Sequence, residues 1–199
     1  RRCGLDKDAE SAYQAASHMK GDPAKIAMAL SNLGQIYYKN GKLDAAKSYW
    51  DSALKATGKL VAAHINEATL ELEQMRKIGN SKDASWKKLE EDAKFHLSSA
   101  LGVDTDSVDA YTDFGLVWME GWQQNKNRLD LAKTLLDEAK KRNEKYAPLQ
   151  NAYGLYWMHK GSLNQALQSF TAAVEADPKS VEARINAGQL PLNFRKYDP

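Results

Sequence analysis

Metal ligation and acid–base catalysis need His, Cys, Asp and Glu side chains that converge on one point. The chain carries four histidines, His18, His64, His96 and His159, and a single cysteine, Cys3. They are scattered, with no second Cys and no close carboxylate at a metal-ligand spacing, which predicts no metal site. Glu71, Glu73, Glu90, Glu91 and Asp92 read as solvated faces of helices. A phosphate-cradling glycine loop, a nucleophile elbow and an acid–base pair singled out by periodicity are all missing. These residues therefore predict a chain that is not an enzyme and holds no cofactor. One thiol cannot close an internal disulfide, so the compartment stays open between cytoplasm and bacterial envelope.

The composition excludes further classes. Hydrophobic residues make up 43% of the 199, enough for a packed core. A net charge of +2 without a dense Lys/Arg block points away from nucleic acid. No apolar run approaches the roughly 20 residues of a membrane-spanning helix. No charged-then-apolar secretion signal is present in the chain as given.

The positioning elements emerge from Ala29–Ala53, ALSNLGQIYYKNGKLDAAKSYWDSA. Two short amphipathic helices are predicted. The first has Leu30, Leu33, Gly34 and Tyr37 on one face, and the second has Ala46, Trp50 and Ala53. Lys39-Asn40-Gly41-Lys42 is the turn between them. The small residue Gly34 recurs as Ala68, Gly115, Gly154 and Gly188, at spacings of 34, 47, 39 and 34. The second helix recurs as Ala93/Leu97/Ala100, Ala132/Leu136/Ala139 and Ala166/Phe170/Ala173. In every unit the last alanine lies fifteen residues before the next small residue. This order of large, small and aromatic residues resembles the tetratricopeptide repeat (TPR), whose period is about 34 residues.

The resemblance implies an all-α, right-handed solenoid of antiparallel helix pairs, about ten helices in a single array over 1–199. A leading helix occupies 6–20, with Ala12, Ala16 and Met19 facing inward. Units then span 22–58, 59–105 with an insertion, 106–143 with a shorter insertion, and 144–178. A truncated unit occupies 179–199, which predicts that the natural protein continues. Asp22 is the expected N-cap before Pro23 at N1, and Gly79-Asn80 the expected break after Ile78.

In TPR proteins the first helix of each unit lines a concave groove, and an Asn at its sixth position often bonds a peptide backbone. Here that position holds Asn32, Asn66, Asp113, Ala152 and Asn186. An amide both donates and accepts, so it suits an extended main chain of any sequence. The resemblance also directs Ser31, Gln35, Tyr38, Thr69, Leu72, Thr112, Leu116, Met119, Asn151, Leu155, Met158 and Gln189 to the groove. Apolar members outnumber charges, which favours a peptide or helix with apolar anchors over an acidic tail. The carboxylate clamp of some TPR domains needs cations where this chain has Ser31, Gln35, Asp109 and Asp113, so that function is disfavoured. His64 sits where the repeat usually has a large apolar residue, and a satisfied, partly buried imidazole is expected there. Trp50, Trp118 and Trp157 fall at core positions. Trp86 and Trp122 lie in or beside the insertions, where they either anchor the loops or form a second contact surface.

These features imply a non-enzymatic adaptor that binds a peptide or protein segment in its concave groove and assists assembly of a larger complex. The last unit is similar to TPR lipoproteins of bacterial envelopes, including gliding-motility and pilus machines. That similarity would make Cys3 a lipid attachment point, against which Arg1 and Arg2 argue, since such a cysteine becomes residue one. The alternative is a structural, self-associating region, using Leu190, Leu192 and Phe194 of the open last unit.

Overall fold

Repeating small residues let helices approach closely, and the chain uses them to build pairs. The structure, a computed structural model, describes residues 2–18 and 21–194, with the side chains of 7, 9–18 and 21–189. Among the described residues there are ten helices and no strand. They are α1 (Arg2–Ser17), α2 (Pro23–Lys39), α3 (Leu43–Ala56), α4 (Val61–Ile78) and α5 (Ala84–Val103) in one compact unit, 1–105. A second unit, 106–199, holds α6 (Val108–Met119), α7 (Arg128–Arg142), α8 (Ala147–His159), α9 (Leu163–Ala176) and α10 (Val181–Phe194).

Local signals set the helix ends. The Asp22 carboxylate accepts from the Ala24 amide at 2.9 Å and Pro23 opens α2, which satisfies an amide that has no partner inside the helix. Gly79, at φ 65°, stops α4 after Ile78 in a left-handed cap that a side chain would strain. Asp83 then caps α5 by accepting from the Ser85 and Trp86 amides.

Within the first unit, α2 pairs with α3 and α4 with α5. A Cβ added to Gly34 would lie 2.3 Å from the Trp50 indole, so the α2–α3 approach requires glycine. Trp50 is buried, and its indole N–H donates to the Ser31 carbonyl at 3.1 Å. Ala68 is buried at the matching place in α4. In the second unit α6 pairs with α7 and α8 with α9. There, a Cβ on Gly115 would meet Leu136 at 2.7 Å, and one on Gly154 would meet Phe170 at 2.3 Å. Leu136, Phe170 and the four paired alanines Ala132, Ala139, Ala166 and Ala173 are fully buried. The register deduced from the small residues is therefore the packing register.

The leading helix differs in detail from its expectation. It begins by Arg2, Ala12 is exposed, and Ala16 is half-buried; Met19 lies outside the described residues. Among the described helices α1 packs on α2 alone, so only one narrow stripe of it is covered. The Tyr37 hydroxyl, donating to Glu10 at 2.8 Å, ties the two together.

Candidate functional site

The faces of α2 and α4 carry most of the predicted binding residues of the first unit. Asn32 is exposed, while Gln35, Tyr38, Asn66 and Thr69 are half-exposed. The Tyr38 hydroxyl bonds Glu73, linking α2 to α4. Ser31 and Leu72 are buried and cannot line an open surface; Ser31 sits against Trp50, to which its carbonyl is bonded.

In the second unit Asp113, Leu116, Leu155 and Asn186 are half-exposed, and Met158 and Gln189 are exposed. Three predicted surface residues are instead buried: Thr112, Met119 and Asn151. Each has a packing reason. The Thr112 hydroxyl bonds back to the Val108 carbonyl at 2.8 Å. Met119 joins the core of Leu129, Leu136 and Leu149. The Asn151 amide donates to Glu182 at 3.1 Å and accepts from the Asn186 amide at 2.8 Å, which joins α8 to α10. Tyr146 bonds Asp109, and burial together with that bond pushes its phenol far above the ordinary range.

The two insertion tryptophans part ways. Trp86 is buried and offers no second contact face. Trp122 is half-buried, packs on the α6–α8 core, and has its ring centre 4.8 Å from that of His159 with the Lys126 ammonium 3.8 Å above it. The side chain of Cys3, and those of Leu190, Leu192 and Phe194, lie outside the described residues. A groove of about 840 Å³ in the second unit, missed by the sequence reading, runs between α7 and α9 over α8, with Lys133, Tyr153, Trp157 and Gln168 among its walls.

The main departure from expectation is inside α4–α5. Glu67 and Glu71, one turn apart on α4, are 0% and 3% exposed; Glu71 is not on a solvated face. Glu67 holds the Lys47 ammonium of α3 at 2.6 Å, and the same ammonium is 3.9 Å from Glu71. His64, also buried, places Nδ1 3.0 Å from Nδ1 of His96 and Nε2 3.1 Å from the Gly58 carbonyl. So His64 is a satisfied, buried histidine, as expected.

His96, however, does have carboxylates beside it: its Nε2 is 3.7 Å from Glu71. Donor atoms of Glu67, Glu71 and His96 lie within 4.8 Å of one another. Burial, then His64, pushes His96 down to about 4, so it is neutral. Burial pushes Glu71 up to about 8 against the pull of Lys47. A signal for this cluster did exist. Counted from Ala68, Glu67 and Glu71 take the places of Leu33 and Tyr37 in the first pair and of Tyr153 and Trp157 in the last.

Paired helices crossing at glycine or alanine, with small and aromatic residues in fixed register, define a helical-repeat scaffold for protein–protein interaction. Tetratricopeptide-repeat family models match residues 27–59 and 123–190, and the chain belongs to that family. Solved structures agree. The chain is similar to TTC0263, a thermophilic TPR protein of Thermus thermophilus, at 20% identity over 96% of this chain and 93% of that one, with a TM-score of 0.73. It is also similar to pilF of Pseudomonas aeruginosa (20% identity, 86% and 70% covered, TM-score 0.60). A third is YrrB, described as a TPR protein with an unusual peptide-binding site (22%, 84% and 77%, TM-score 0.50). At such identities the likeness is one of fold. Comparison with curated protein sequences gives no match. No helix among the described residues is long and apolar enough to cross a membrane.

Proposed function

We propose that this chain is a non-enzymatic adaptor that holds an extended peptide or protein segment along the exposed faces of its first helices. The observation that carries this reading is the pair Asn32 and Asn66. They stand at repeat-equivalent places on α2 and α4, outside the core, beside the half-exposed Gln35 and Thr69. Amides on a rigid helical face can bond a main chain without selecting its side chains, and side-chain pockets nearby supply the selection. In the second unit, Leu116, Leu155, Met158, Asn186 and Gln189 are likewise exposed or half-exposed on α6, α8 and α10. The described binding role of YrrB supports a peptide as the occupant. A narrower reading, assistance in assembling an envelope motility or pilus machine, rests on the resemblance of the last unit to TPR lipoproteins of bacterial envelopes.

The test is a selection of displayed peptides on the whole chain, followed by affinity measurement on Asn32→Ala combined with Asn66→Ala. Two lost hydrogen bonds, at about 0.5–1.5 kcal/mol each, predict a weakening of roughly 5- to 150-fold. The melting temperature should stay within a degree or two, because both side chains lie outside the core. Unchanged affinity would refute the reading and direct attention to the α7–α9 groove.

A further inference from the structure

Three of the four helix pairs put Leu, Tyr, Phe or Trp on either side of the small crossing residue, as Leu33 and Tyr37 flank Gly34. The α4–α5 pair puts Glu67 and Glu71 there instead, with His64 one turn earlier and His96 facing them from α5. A buried carboxylate in an aromatic's place is costly unless its oxygens are satisfied. Here they are not. Glu67 Oε1 and Glu71 Oε2 are both buried with no hydrogen-bond partner. Lys47 lies against Glu67 at 2.6 Å, and Glu71 has only its more distant approach at 3.9 Å.

The histidines show what would complete it. The Gly58 carbonyl can only accept, so the proton of His64 sits on Nε2 and its Nδ1 accepts. His96 therefore donates from Nδ1, and its Nε2 presents a lone pair toward Glu71 Oε1 at 3.7 Å. At that distance the lone pair and the carboxyl oxygen are too far apart for a direct hydrogen bond, so none joins them. A half-buried histidine whose far nitrogen is held by a second group, leaving the near one beside carboxylates, is the outer-shell arrangement of a metal ligand.

We infer that Glu67, Glu71 and His96 form a binding site for a divalent transition-metal ion of the zinc type, which fastens α4 to α5. The donor set of two carboxylate oxygens and one imidazole suits zinc or its neighbours in the first transition row rather than calcium. Three atoms no more than 4.8 Å apart lie within about 2.8 Å (4.8/√3) of a common point. Side-chain adjustments below about an ångström then give the usual metal–ligand lengths of roughly 2.0–2.2 Å. Water fills the remaining position, and Lys47, half-exposed, turns outward as the ion takes over its charge-balancing role. The site is structural: it would stiffen the pair that carries Asn66.

The test uses the whole, tag-free chain, treated with chelator and titrated calorimetrically with zinc chloride at neutral pH. One tight equivalent is expected, with a melting temperature that climbs with free zinc. Glu71→Gln and His96→Gln should each weaken that equivalent at least 100-fold, while His64→Ala, which removes only the outer support, should weaken it about 10-fold. Glu91→Gln, on the exposed side of α5, should leave it unchanged. Cobalt should give visible absorption bands in the native chain that disappear in His96→Gln. If no tight equivalent binds, or if it binds equally to Glu71→Gln and His96→Gln, the inference is wrong and the cluster is closed by Lys47 and a proton. Circular dichroism of each variant establishes that it is folded, so that loss of binding reports the ligand and not the helix pair.

Discussion

Glycine-to-alanine exchange at repeat-equivalent positions should change stability in opposite directions, and the geometry says where. In Gly34→Ala the new Cβ would lie 2.3–2.8 Å from three atoms of the Trp50 indole. Trp50 cannot swing aside cheaply, since it is 1% exposed and bonded to Ser31. Overpacking a core costs about 1–3 kcal/mol. A buried indole N–H left without its acceptor adds about 1–3 kcal/mol. Against this, alanine is favoured over glycine in a helix by roughly 1 kcal/mol.

The balance is a loss of roughly 3 kcal/mol, or about 6–12 °C in melting temperature for a chain of this size. Gly188 occupies the equivalent place in α10, and a Cβ there meets nothing within 4 Å. Gly188→Ala should therefore keep the helix-propensity gain and raise stability by up to about 1 kcal/mol. Thermal and urea unfolding followed at 222 nm measures both. A Gly34→Ala chain as stable as the native one would refute the claim that the α2–α3 crossing depends on a missing side chain.

Phe170→Ala should destabilise the second unit by about 3–5 kcal/mol, because the ring is fully buried against Gly154 and its removal leaves a cavity in the core. Urea midpoints at unchanged slope would check it. A pH effect follows from Asp137: burial pushes its carboxyl up, but hydrogen bonds from Lys133 at 2.7 Å and Tyr153 at 2.6 Å outweigh that and hold it below its ordinary value. A depressed carboxyl stabilises the fold above its unfolded value and loses that contribution as pH falls through the folded one. The stability gap between native protein and Tyr153→Phe should thus narrow below about pH 4, and a gap constant from about pH 3 to 7 would contradict the assignment. The peptide-affinity and zinc titrations described above complete the set.

Much of the scaffold was legible because helical packing is periodic. Gly34, Ala68, Gly115 and Gly154 could be aligned from spacing alone, and a small residue at a fixed phase implies a close crossing wherever it recurs. Caps are equally local: Asp22-Pro23 and Gly79 act within a few residues of themselves. The surface was less legible. Thr112, Met119 and Asn151 lie on the helices expected to bear the groove, yet a few tens of degrees of helix rotation separate exposed from buried, and repeat position resolves that only coarsely. Asn151 in particular is engaged by Asn186 and Glu182, residues more than thirty positions away.

From its own letters, then, the chain determined its helices, their pairing and the non-polar stripe that joins them, because each depends on neighbours at fixed short separations. The meeting of Lys47, His64, Glu67, Glu71 and His96 was decided only by tertiary structure. Those residues come from three helices, and the insertion that breaks the regular count is mostly extra helix at the end of α4 and the start of α5. Whether a glutamate meets water, a lysine or an imidazole depends on which side chains α3 and α5 turn toward it, and spacing along one helix does not say what its neighbours present there.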